Sequence, residues 1–284
     1  MTDNSISTAI PKLTTTLSIV AIAKNEIVDI KGFIEHVKGW ASEIIVVDDQ
    51  STDGTAKFLE DYGPPVKCIS RALERIGGFA AQRNAGAEIA TSEWLLHMDI
   101  DERVPAALAR EISQAITNTQ FNAFRYRRLN FFLHRPFRAG GWQFWNAAQL
   151  CRRNAHRFVN AVHEITEIDG GETKIGQLHE EMWHLNDDSF AERLRKNAQY
   201  AALSAEEINT PVSWVDIFLR PAFAALKAYF WHGAWRQGTL GFLFSVFVFV
   251  SKFNRYAIAW DKQTKIDRQK LEAEISKSWS SHVD

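Results

Sequence analysis

The sequence predicts an α/β fold built on a mostly parallel sheet with helices over both faces. Short unbroken apolar runs alternate with segments of helical period through the first hundred residues, and turn residues separate them. Three of those runs end in polar clusters, and ligands on such sheets bind beyond the carboxyl ends of the strands.

Leu17 to Ala23 (LSIVAIA) reads as the first buried strand. Ile27, Ile30, Ile34, Val37 and Trp40 then recur at spacings of three and four, the signature of a helix. Ile44 to Val47 is a second strand ending at Asp48-Asp49, and Thr52 or Asp53 can cap a helix reaching about Tyr62. Val66 to Ser70, Phe79 to Ala90 and Trp94 to Met98 continue the series as strand, small-residue helix and strand, with Asp99 at the end. From Phe121 the texture shortens into aromatic and basic runs with Gly140-Gly141 and Gly170-Gly171 as turns, which predicts an antiparallel extension.

Bulk composition excludes some functions. A chain of 284 residues with a formal charge of -1 lacks the basic excess of a general nucleic-acid binder. Cys68 and Cys151 are too few for a disulfide framework, so a reducing setting is expected. The first 15 residues are polar, without the basic-then-apolar order of a signal peptide, and read as a disordered lead-in on the cytoplasmic side.

The polar clusters carry the chemistry. Asp99-Ile100-Asp101 can turn two carboxylates to one side, the oxygen donors that Mg²⁺ or Mn²⁺ prefers; the bland alternative is an acidic turn before the helix near Pro105. Asp48 and Asp49 can accept from a base or a ribose, and capping of the next helix by Ser51, Thr52 and Asp53 would leave them free. Lys24, Asn25 and Glu26 leave the first strand in the same way, Glu26 either contacting a ligand or starting a helix. In GGFAAQRNAG, residues 77–86, glycines before a helix expose N–H groups to an anion, Arg83 can pair with phosphate, and Asn84 can hold a sugar or the acidic triplet. Close helix–sheet packing explains the same small residues. His184 can complete a metal shell, although structural histidines are commoner. His179 and His184 are five apart, not the four that a zinc-protease helix requires. A dinucleotide dehydrogenase is excluded because no Gly-x-Gly-x-x-Gly turn is present.

The series AKNE, VVDDQSTDGT, GFAAQRNAG and MDIDE resembles the inverting family 2 glycosyltransferases of the GT-A fold, in order and spacing over residues 17–110. The resemblance implies that Asp49, beside Asp48, binds the nucleotide base, that Asp99 meets ribose or metal, and that Asp101 ligates the metal on the donor diphosphate. It also implies an acidic general base. Glu164 is preferred, since an apolar strand-like run precedes it, with Glu180 and Glu181 as alternatives. The overall layout resembles the subgroup that adds a β-glucosyl unit to the lipopolysaccharide inner core. UDP-glucose as donor and a lipid-linked saccharide as acceptor follow from that likeness alone. A non-catalytic sugar-nucleotide-binding scaffold is the alternative. The expected organisation is a GT-A domain over 16–210, with a donor half to 118 and an acceptor half from 119, then a helical region over 211–284.

In that last region Ile217, Phe218, Pro221, Ala225, Leu226, Tyr229 and Phe230 form a helical stripe with Arg220 and Lys227 on its other side. Leu240 to Val250 is nearly all apolar and, at about eleven residues, short of the roughly 20 needed to span a bilayer. Flanking cations and aromatics suit a helix lying in the headgroup layer of the inner membrane surface; a helical hairpin buried against the catalytic domain or in a homodimer is the competing expectation.

Overall fold

A computed structural model describes residues 13–73, 77–160, 164–186 and 189–280. The lead-in up to residue 12 lies outside them. The chain divides into two units, residues 1–138 with 142–186 and residues 139–141 with 187–284. The division at 186–187 comes earlier than the residue-210 boundary expected above, because a helix over Phe190–Ala205 packs with the C-terminal helices.

In the first unit β1 (Leu17–Ala23), β2 (Glu43–Asp48), β3 (Val66–Ser70) and β4 (Trp94–Asp99) alternate with α1 (Ile27–Val37), α2 (Thr55–Tyr62) and α3 (Gly78–Ile89). β1 runs parallel to β2 and β4, and β2 to β3, so Ala23, Asp48 and Asp99 finish on one edge. Alternation decides which side chain meets which layer. Ile19, Ile44, Leu96 and Met98 join α1's Ile30, Phe33 and Ile34 in the main core, while Val20, Ile45 and Leu95 face Ala87 and Ala90 across the sheet. Two residues on from Leu95 and Val20's layer, His97 and Asp99 share the α3 side of β4.

The remaining elements of this unit are β5 (Glu102–Arg103), α4 (Ala106–Ala115), β6 (Ala123–Phe132), β7 (Arg135–Phe137), β8 (Asn146–Arg152), β9 (His156–Val159), β10 (Ile165–Ile168) and β11 (Ile175–His184). The large sheet runs β3-β2-β1-β4-β8-β6-β11-β5, with β7 on β6. β8 is antiparallel to both β4 and β6, so the antiparallel extension expected from Phe121 onward is present. β6 and β11 return to parallel pairing, and β9 with β10 forms a separate ribbon.

Three local contacts position the carboxyl edge and its supports. Asp53 accepts from Ile27 N and from Thr55 N, each at 3.0 Å, and so ties the starts of α1 and α2 together. Gly86 brings α3 against the sheet so closely that an added Cβ would stand 2.5 Å from Val20 Cγ1, which makes helix–sheet packing the work of this glycine. At the opposite edge Glu43, nearly buried, accepts from Lys67 Nζ at 2.6 Å and Thr91 N at 2.6 Å, with Ser18 and Ser92 also on it. Burial opposes its charge, but Lys67, Ser18 and Thr91 hold its carboxyl down to about 2.

The second unit is helical, with α5 (Phe190–Ala205), α6 (Arg220–Leu226), α7 (Gly238–Thr264) and α8 (Arg268–Ser280). π-helical turns over Val215–Leu219 and Lys227–Trp231 flank α6. Inside the unit a polar stitch joins α5 to α7: Asn197 Nδ2 donates to Ser251 Oγ at 2.7 Å and Asn254 Nδ2 to Asn197 Oδ1 at 3.0 Å. The eleven-residue apolar run understated α7, which has 27 residues. The helix continues through Ser251, Lys252, Asn254 and Arg255, residues that an apolar count leaves out. With the preceding turn it spans Ala234–Thr264, 31 residues in which an 18-residue window has a mean hydropathy of 1.3, long and apolar enough by length and composition to cross a membrane.

Three histidines are held neutral: burial lowers His97 far below its ordinary value and lowers His36 and His156 as well. Their contacts need the neutral ring. His36 Nε2 accepts from Val104 N at 2.9 Å, and His97 and His156 share one proton between Nε2 atoms 2.9 Å apart. At these three positions the unfolded chain binds protons near pH 6.5 where the folded chain does not, so their contribution to stability is full above that pH and falls as acid is added. Urea unfolding should show a lower midpoint at pH 5.5 than at 7.5, and His36→Gln should narrow the difference. A further loss is expected as pH falls from about 4.5 toward 2 and Glu43 takes its proton.

Candidate active site

Beyond the carboxyl edge of β4, the chain turns through Asp99, Ile100 and Asp101 into the short strand β5. β5 pairs antiparallel with the end of β11, placing Glu102 opposite His184, and β11 places His184 opposite Asn130 of β6. One ligand atom from each of Asp99, Asp101 and His184 lies within 4.8 Å of the others, which meets the geometric need of a shared cation. His184 Nδ1 donates to Asn130 Oδ1 at 2.7 Å, which leaves Nε2 facing Asp101 Oδ2 at 3.0 Å. Burial disfavours the imidazolium, but Asp101 outweighs it and raises His184 above its usual value.

Asp99 is gripped from both sides. Arg83 Nη2 donates to Oδ1 and Arg128 Nη2 to Oδ2, each at 2.7 Å. Burial works against ionisation here too, yet Arg128 and Arg83 hold the carboxyl well below the ordinary range. Arg83 is almost fully buried, reaches Glu164 Oε1 through Nε at 3.1 Å, and keeps a buried Nη1 with no hydrogen bond among the described residues. Arg128 lies over the Trp145 ring at 4.1 Å and also pairs with Glu102. Glu102 has no exposed surface; burial pushes its carboxyl up against the pull of Arg128. The cluster thus holds Asp99, Asp101, Glu102 and Glu164 against the guanidiniums of Arg83 and Arg128 and the single ring of His184. Asp99, Asp101 and Glu164 outnumber the two guanidiniums even with the buried Glu102 left out. A divalent cation with oxygen and imidazole ligands fits that balance.

Beside this cluster, the edges of β1 and β2 hold the other residues singled out from the sequence. Asp48 is buried; Oδ2 accepts from Ser51 N at 2.9 Å, and Oδ1 has no hydrogen bond among the described residues. Asp49 takes Lys24 Nζ at 2.7 Å and Leu73 N at 2.6 Å. The expectation that capping by residues 51–53 leaves both aspartates free therefore needs correction: each also orders its own turn. Asn25, with φ of 57°, accepts from Thr52 N at 2.8 Å, and Glu26 N donates to Thr55 Oγ1 at 2.9 Å as α1 begins. Asn84 has both ends of its amide on the Phe158 backbone, donating to O and accepting from N at 2.9 Å. It fastens β9 to α3 and does not reach the acidic triplet. Glu164 lies just before β10 and joins the cluster through Arg83, whereas Glu180 is exposed on β11 and Glu181 pairs with Arg138.

The sequence of the glycosyl transferase family 2 model matches residues 18–169, more than half of the 284. The chain belongs to glycosyl transferase family 2. Its sheet, with parallel strands leading into an antiparallel extension, has the GT-A fold of that family. Among curated relatives, one similar to it is the lipopolysaccharide core biosynthesis glycosyltransferase LpsC of Rhizobium meliloti (strain 1021), 27% identical over 245 residues, covering 82% of this chain and 87% of the relative. Another is an uncharacterized glycosyltransferase of Rickettsia bellii (strain RML369-C), 26% identical over 259 residues and covering 86% of each. Among solved structures, S. aureus TarS 1-349 in complex with UDP-GlcNAc aligns at 14% identity and a TM-score of 0.48, covering 87% of this chain and 91% of that one.

Glu102, Arg128 and Asn130 escaped the sequence reading. A usable signal was present: Tyr126, Arg128 and Asn130 occupy alternate positions of β6, a polar row on a strand face that begins with a buried aromatic. Replacing Asn84 by Ala strips two partners from the Phe158 backbone, so Asn84→Ala should cost about 1–3 kcal/mol in urea unfolding.

Proposed function

We propose that this family 2 glycosyltransferase moves a hexosyl group from a nucleotide sugar, UDP-glucose first among donors, to a hydroxyl of a lipid-linked saccharide such as lipopolysaccharide core, with inversion at the anomeric carbon. The observation that carries the reading is the acidic cluster with His184 at the sheet edge, beside the carboxylates that close β2. LpsC, a relative over most of its length, favours the core-saccharide acceptor.

Asp101, Asp99 and His184 would hold Mg²⁺ or Mn²⁺, which supplies charge neutralisation to the departing diphosphate. The chain's own residues do the rest. Asp48 Oδ1 is an unmet acceptor for a base or ribose donor, and Asp49, Lys24, Asn25 and Glu26 order the turns around it. Arg83 sets the place of Glu164 through one oxygen, and Glu164 would take the proton of the acceptor hydroxyl as that oxygen bonds to the anomeric carbon. The bond from the anomeric carbon to the diphosphate breaks in the same displacement, and the nucleoside diphosphate leaves with the electron pair.

The second unit supports a membrane-surface setting. Trp214, Phe218, Phe223, Phe230, Trp231 and Trp235 are all at least half exposed, more large apolar surface than single scattered side chains provide. Arg220, Lys227 and Arg236 lie among them. α7 turns Ser251 and Asn254 to α5 and carries Lys252, Arg255 and Lys262 in its second half, a distribution suited to the headgroup layer rather than the hydrocarbon centre.

Purified protein should transfer glucose from UDP-glucose to deacylated or intact core acceptor in Mn²⁺, and EDTA should abolish turnover. Asp101→Asn should lower kcat/KM by roughly 100-fold or more, the scale of losing a charge-stabilising group. Glu164→Gln should retain UDP binding while transfer disappears; normal turnover would remove Glu164 from the base role. Binding of UDP-glucose without any transfer, metal present, would favour the scaffold alternative. In flotation with anionic phosphatidylglycerol vesicles the chain should rise with lipid and be stripped by alkaline carbonate. Retention after carbonate would make α7 a spanning helix instead.

A further inference from the structure

We propose that Glu102 and Arg128 are a positioning pair that presents Asp99 and Asp101 to the divalent cation, an inference that rests on the metal reading above. Three contacts close a ring. Glu102 Oε2 accepts the Asp99 backbone N–H at 2.9 Å, Glu102 Oε1 meets Arg128 Nε as an ion pair outside hydrogen-bond alignment, and Arg128 Nη2 returns to Asp99 Oδ2 at 2.7 Å. Asp99 is thereby fixed at two points, its peptide and its carboxylate, by one side chain three residues on and another from β6, two strands along the sheet.

The ring is braced on every side. Trp145 backs the Arg128 guanidinium at 4.1 Å, which fixes the plane from which both of its contacts leave. β5 pairs Glu102 with His184 and Trp183 with Arg103, so the residue that pins Asp99 also sets the height of the imidazole. Arg103 Nη1 donates to Ile100 O at 2.8 Å and His36 accepts from Val104 N at 2.9 Å, which closes the rest of the turn. Asp101 lies between these clamps, and its carbonyl receives Leu185 N at 2.9 Å. Two loose carboxylates pay side-chain entropy to converge on an ion; here the convergence is built before an ion arrives.

A buried Arg–Glu pair has a plainer role, that of a structural contact, and removing one partner of such a pair is itself destabilising. The two roles separate in an experiment on metal affinity per folded molecule. Glu102→Gln can still accept the Asp99 N–H, but it replaces the charge that meets the Arg128 guanidinium with an NH₂ donor. Lys at 128 keeps the charge and loses the fork that reaches Glu102 and Asp99 together.

Mn²⁺ binding to the full chain, without donor or acceptor, is read from the free-ion electron paramagnetic resonance signal, with circular dichroism and urea midpoints for folding. Glu102→Gln and Arg128→Lys should each remain folded and bind Mn²⁺ roughly 10- to 100-fold more weakly, the usual cost of losing an outer-shell partner. Affinities within twofold of the parent in folded variants, with Asp101→Asn abolishing binding, would overturn the positioning role and leave the metal site standing. A parent chain that binds no Mn²⁺ overturns the metal reading itself. Should Glu102→Gln fail to fold, Arg128→Lys decides alone; loss of fold in both makes the pair structural and rejects the proposal.

Discussion

An ionised carboxylate taken out of water must find its compensation within hydrogen-bond reach, and Asp99 is where this chain meets that demand. Arg83 arrives from α3 and Arg128 from β6, so the acidic turn can form only when the parallel half of the sheet and its antiparallel extension are both in place. Each arginine then serves a second carboxylate, Glu164 for Arg83 and Glu102 for Arg128. The result is a shared charge lattice in which no member can be removed without stranding another. Its excess of negative groups is what a divalent ion would neutralise.

Much of the fold was legible because burial on both faces writes itself into sequence as unbroken apolar runs. LSIVAIA, IIVV and WLLHM became β1, β2 and β4 with nearly the limits read from composition. The acidic triplet was legible as a candidate, since two aspartates one residue apart at a strand end can turn both carboxylates to one side. Long-range partners were not. Glu102 looked like one more charge after Asp101, and nothing local says that it is wholly buried against a strand some 25 residues onward. Arg128 and Asn130 were hidden in a run of basic and aromatic residues whose period of two becomes informative only when the strand is known. Asn84 was misjudged for the opposite reason. A polar residue in a small-residue helix suggests a ligand contact, but the nearest unmet groups were the backbone of Phe158.

The C-terminal unit shows how an apolar count and a helix can disagree. A nearly all-apolar run of eleven residues describes only the first half of α7, because the helix accepts Ser251 and Asn254 where Asn197 of α5 supplies their partners. A polar residue with a partner on a neighbouring helix does not end a helix, so breaks in hydropathy are poor guides to its length. The same contacts orient α7 within its unit, one side fastened to α5 and others left with Phe242, Val246 and Phe253 on the outside.

Gly86 has a consequence for anyone improving this enzyme. Glycine in a helix interior normally invites replacement, since alanine gains up to about 1 kcal/mol of helix propensity. Here the methyl would collide with Val20 and Val47 and lift α3 from the sheet, drawing Arg83, one turn earlier, away from Asp99. A stabilising library would therefore find its harm at a residue with no side chain, through a loss of alignment rather than of chemistry.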